Sequence, residues 1–161
     1  VILLWKYHRS PKFWDDLFMR AICYFTRSEY VHAEVFVNGC TYGMHDTIKR
    51  WPHQRPSDEV WAMDLTPEQE TAIYEYCERA YQDQIRYNIP KVVALAVVYP
   101  TRWIWRKLGW VPFDAYVHGA VCSELVDEAY KAAGIDLLPN DHEGYTAPVD
   151  FTRSPLLQRL T

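Results

Sequence analysis

Residues 30–37, YVHAEVFV, alternate in character: Val31, Ala33, Val35 and Val37 fall on one side, and His32, Glu34 and Phe36 on the other. That period of two is the pattern of a strand with one face in a core. Asn38-Gly39 follows at once. The pair signals a two-residue hairpin turn and predicts a return strand through Cys40, Thr41 and Tyr42. The opening VILLW and the segment Val60 to Leu65 read as two further strands. Helical spacing appears elsewhere. Ser10-Pro11 resembles a capping hydroxyl followed by proline at a first helical position. Behind it, Lys12 to Phe25 carries Phe13, Leu17, Phe18, Ala21, Ile22 and Phe25 at helical intervals. Thr66-Pro67, with Glu68 and Glu70 in the first turn, opens a second helix to about Tyr81, with Ile73, Tyr76, Cys77, Ala80 and Tyr81 on one face. A third runs from Cys122 to Ala133, with Leu125, Val126, Ala129, Tyr130 and Ala133 sharing a face and Gly134 as its stop.

Strands and helices mix without a regular βαβ rhythm, so the class expected is α+β. No repeat, low-complexity tract or linker divides the 161 residues, and a single domain over 1–161 is expected. The stretch 85–117 is broken by Pro90, Pro100 and Pro112, and Trp103, Trp105 and Trp110 alternate there with Arg102, Arg106 and Lys107. Tyr99 to Trp110 reads either as a lid or patch in peripheral contact with lipid, or as a loop whose tryptophans pack over the core.

Charge narrows the partners. Seventeen Lys+Arg against 21 Asp+Glu give −4, which offers no electrostatic field for nucleic acid. The longest apolar run, Val92 to Tyr99, is far shorter than the ~20 residues of a spanning helix. The opening strand lacks the basic flank of a secretory leader. The four cysteines, Cys23, Cys40, Cys77 and Cys122, form no C-x-x-C pair and no Cys/His set with zinc-ligand spacing. Free thiols, no metal, no cofactor and a reducing, cytoplasmic setting are therefore expected. Aromatic content of 16% exceeds what one core hides, so some rings are expected at a groove or interface.

The candidate chemistry begins with His32 and Glu34. Two apart on a strand, they project from one side, with backbones roughly 7 Å apart. A carboxylate there can hold one imidazole tautomer and stabilise the imidazolium. The bland alternative is a solvated hairpin face. Cys122 sits where Gly119-Ala120-Val121 gives way to a helix. Unpaired N–H groups and the macrodipole favour a thiolate at such a start, and the same N–H groups can serve an oxyanion. Its alternative is a core thiol, although the helix's apolar stripe begins only at Leu125. Cys23 and Cys77 fall in apolar helical stripes and are expected in the core; Cys40 carries no assigned role.

Tyr30-Val31-His32-Ala33-Glu34-Val35, followed by Val121-Cys122-Ser123-Glu124-Leu125-Val126 and Ala132-Ala133-Gly134, resembles the permuted NlpC/P60 papain-like family of YaeF/YiiX type. The opening strand and helix, Tyr87-Asn88 and the closing Pro148-Val149-Asp150…Ser154-Pro155-Leu156-Leu157 are similar to it as well. The resemblance implies a circularly permuted papain-like core, an antiparallel sheet with packed helices. It matches Cys122 to the nucleophile and His32 to the general base. Glu34 is taken as the third group, with His45 and Asp46 behind it. The implied activity is a cysteine hydrolase cleaving an amide or ester through a thioester, on a cell-wall-type peptide amide or a lipid acyl bond. An acyltransferase using the same pair, and a non-catalytic binding module on the same fold, are the alternatives.

Overall fold

The computed structural model describes residues 1–87, 121–139 and 146–160. Asn88, Val92–Tyr99, the Tyr99–Trp110 patch and Gly119-Ala120 lie outside the described residues. In chain order the elements are β1 (Ile2–Lys6), α1 (Phe13–Thr26), β2 (Tyr30–Val37), β3 (Cys40–Met44), β4 (Ile48–Trp51), β5 (Glu59–Ala62), α2 (Pro67–Gln82) and α3 (Cys122–Ala132). A 3₁₀ helix, Pro148–Arg153, and a short β6, Gln158–Arg159, close the chain. The fold is α+β, with a six-stranded sheet of order β4-β3-β2-β1-β5-β6 in which every pairing is antiparallel.

The alternation along β2 sorts the sheet's two faces. Ile2, Leu4, Ala33, Val35, Val37 and Tyr42 join one apolar cluster with Ile73 and Cys77 of α2 and Val126, Ala129 and Tyr130 of α3. Burying this face against two helices is the main apolar contribution to stability. Leu3 pairs with Glu34 and Trp5 with His32, so these four residues share the opposite face. The hairpin turn falls at Asn38-Gly39 as expected, both with positive φ, +48° and +74°. β3 runs to Met44 and turns through His45, Asp46 and Thr47 into β4, a strand the hydrophobic pattern does not announce.

α2 starts where its cap predicts. Thr66 Oγ1 accepts from the Gln69 N–H at 3.3 Å, and Gln69 Oε1 accepts from the Thr66 N–H at 3.0 Å. α1 corrects its expectation twice. It begins at Phe13 rather than after Ser10: Lys12 is extended, and Asp16 Oδ1 in the first turn takes both the Tyr7 hydroxyl (2.7 Å) and the Ser10 N–H (3.1 Å). None of its residues is buried, so its apolar stripe, Cys23 included, stands outside the core. Cys77 is fully buried as expected, and all four cysteines are free. β5 ends at Ala62, three residues before the expected Leu65, yet Met63 and Leu65 still pack on the core.

Candidate active site

Glu34 is the buried centre of the second face. Its side chain has no exposed surface, and Gly43 lies directly opposite on β3. A Cβ on Gly43 would stand 2.5 Å from Glu34 Oε1, so the carboxylate occupies the space a side chain would need. Three cationic or imidazole groups converge on that oxygen. His32 Nε2 lies 3.0 Å away, His45 Nε2 3.4 Å away, and Arg55 Nη1 donates to it at hydrogen-bond distance. Burying a charge without partners is costly, and this cluster supplies them. Burial works to raise the Glu34 pKa; hydrogen bonds from His32 and His45 and the charges of His32 and Arg55 overcome it and lower it to about 2.

Rings pack around the cluster. Trp5 lies 5.5 Å from His32, His32 5.3 Å from His45, and His45 5.2 Å from Trp51, centroid to centroid. The Arg55 guanidinium stacks over Trp51 at 4.1 Å and over Trp5 at 5.4 Å. Two indoles from β1 and β4 thus hold the arginine against Glu34.

Cys122 arrives on α3, from far along the chain. The first intrahelical bond of α3 runs from the Leu125 N–H to the Val121 carbonyl, which leaves the N–H groups of Cys122, Ser123 and Glu124 ahead of it. Glu124 Oε2 accepts from the Val121 N–H at 3.1 Å, and the Ser123 hydroxyl donates to the Thr146 carbonyl; together they anchor the helix start. Cys122 packs with Met44, Ile48, Ala80 and Leu125, at the end of the sheet where β3 turns into β4. It is 5% exposed, which corrects the expectation that packing makes no use of it.

There the thiol meets His32. Burial acts to lower the His32 pKa, but the charge of Cys122 and a side-chain hydrogen bond with it, then Glu34, raise it to about 9. With Nε2 turned to Glu34, the nitrogen left for sulfur is Nδ1. Tyr87 packs in the same cluster, and its backbone N–H donates to the Asp46 carbonyl at 3.0 Å. Burial, then the nearby charges of Cys122 and Glu124, push its phenol upward.

The structure therefore brings Cys122, His32 and Glu34 together, with His45 on the same carboxylate. Asp46 does not join them: it is exposed and pairs with Lys49 at 2.9 Å. Arg55, Trp5 and Trp51 are not among the residues the sequence singles out. Arg55 lies between β4 and β5, where no periodicity assigns it a face. Trp5, two residues on from Leu3, carries a usable signal: strand alternation puts it on Leu3's side of the sheet. His32, Glu34 and His45 also offer three donor atoms within 4.8 Å of one another, a grouping that sequence spacing does not reveal.

No protein-family model matches the chain, and no curated protein matches it. Among the described residues no helix is long and apolar enough to cross a membrane.

Proposed function

We propose that the protein is a cysteine hydrolase of permuted papain-like, NlpC/P60 type, which cleaves an amide or ester through a thioester. The observation that carries this reading is that His32 meets both Cys122 and the buried Glu34, whose carboxyl is held well below its ordinary range. Proton transfer from sulfur to Nδ1 gives a thiolate–imidazolium pair, which Glu34 stabilises from the far side of the ring. The thiolate adds to the substrate carbonyl carbon. The oxyanion so formed lies next to the N–H groups of the first turn of α3. Collapse breaks the C–N or C–O bond as His32 passes its proton to the departing amine or alcohol. Water then enters, His32 removes its proton, and C–S cleavage releases the acid and restores the thiol pair. Glu34 touches no substrate in this scheme; it is a positioning residue. Peptide amides and lipid acyl esters are the two substrate classes proposed.

The test is mass-spectrometric mapping of iodoacetamide labelling across pH, on wild type and His32→Ala. Cys122 should label well below the ~8.5 of an ordinary thiol, and the mutation should remove that reactivity. Cys77, whose thiol burial pushes up to about 12, is the silent internal reference. Slow labelling of Cys122, equal in both proteins, would overturn the reading. With a peptide or lipid substrate, Cys122→Ser should abolish turnover while leaving the far-ultraviolet spectrum unchanged.

A further inference from the structure

The Glu34 cluster has a second chemical identity. His32 Nε2 and His45 Nε2 stand 3.0 and 3.4 Å from Glu34 Oε1. The edge of a tetrahedron with metal–ligand bonds of 2.0–2.1 Å is about 3.3 Å, so the two separations from the carboxylate oxygen match ligands sharing one zinc-sized ion. Two imidazoles and one carboxylate are also a donor set that Zn²⁺ and its first-row neighbours favour. The His45 ring is 40% exposed, and its donor atom lies within 4.8 Å of the one on His32. A further observation points to a cation. Glu34 Oε2 is buried with no hydrogen-bond partner among the described residues, a lone-pair donor that an ion could take up alongside Oε1.

We propose that His32, Glu34 and His45 form a binding site for a divalent first-row transition ion of the zinc class, with Arg55 as the internal cation that the ion displaces, and that binding switches the hydrolase off. The second half rests on the thiol reading above. A ring whose Nε2 is bound to a metal keeps its remaining proton on Nδ1 and has no lone pair there to receive one from Cys122. The ion would thus compete with catalysis for a single side chain.

Zn²⁺ affinity, read by competition with a chromophoric chelator, and the visible spectrum of the Co²⁺ form test the site without any substrate. One equivalent should bind, with the ligand-field bands of a four-coordinate ion and no thiolate-to-cobalt charge transfer. His45→Ala should weaken binding by about tenfold or more. Arg55→Ala should tighten it, and Cys122→Ser should leave it unchanged. His45→Gln provides a second ligand deletion should the alanine variant misfold. Wild-type affinity in both His45 variants, or a charge-transfer band that Cys122→Ser removes, overturns the site. Saturating Zn²⁺ should also suppress iodoacetamide labelling of Cys122 in wild type, reversibly on chelation. Tight binding with unaltered labelling overturns the switch. Labelling of Cys122 that never depended on His32 instead overturns the hydrolase reading, and leaves the affinity series to decide the metal site.

Discussion

Glu34 shows how one residue can serve stability and, on the proposed reading, chemistry together. Its pKa of about 2, against an ordinary 4.5, means the folded state holds the carboxylate more tightly than the unfolded chain does. Such a group contributes stability that is fully present above pH 4.5 and is lost as pH falls through about 2. A lowering of that size corresponds to about 3 kcal/mol. Urea denaturation of wild type should therefore show stability falling steadily from pH about 5 to about 2. Glu34→Gln should be less stable at neutral pH and flatter across that window; equal slopes would show that the stabilisation comes from elsewhere. Gly43 makes the complementary point. Gly43→Ala should cost about 1–3 kcal/mol, because the added methyl meets the Glu34 side chain in a packed sheet. The same substitution in a Glu34→Ala background should cost much less. A double-mutant cycle measures the difference, and additive costs would mean the two residues do not compete for space.

At the scale of elements, α1 and α3 both carry apolar stripes and stand in opposite situations. Leu125 on α3 is 2% exposed, whereas Trp14 on α1 is 75% exposed. Leu125→Ala should lower stability by about 2–5 kcal/mol, and Trp14→Ala by less than about 0.5 kcal/mol. Thermal unfolding of the two variants checks both; a large loss from Trp14→Ala would mean that α1 is seated on the core after all. The comparison also explains what can be read in advance. Helical periodicity says that a stripe exists, not what covers it, so by its spacing α1 resembles a core helix as much as α2 does. Strand alternation is more informative, because it assigns each side chain to a face. That is why His32 and Glu34 are legible as a pair on β2. β4 and β6, four and two residues long, are too short for any period to emerge. Arg55 is illegible for a different reason: its position follows from where the segment between β4 and β5 crosses the sheet, a tertiary fact with no local signature.

For the whole molecule, the sheet order separates what is near in sequence from what is far. β2, β3 and β4 form a continuous meander, whereas β1 pairs with β5 across most of the first sixty residues. His32, Glu34 and His45 all belong to that meander and its turns. Cys122 reaches them only after a long intervening segment. Closing short loops is entropically cheap and fast, and long ones delay the contacts that depend on them. The basic half of the site should therefore acquire its geometry before the thiol arrives. Pulsed hydrogen exchange during refolding should find the β2–β4 amides protected ahead of those joining β1 to β5; simultaneous protection would argue against it. On the ribosome the same order has a chemical meaning. On the proposed reading, the chain would emerge with its proton acceptor taking shape first, and the sulfur that needs it would be added only when a folded partner is waiting to receive it.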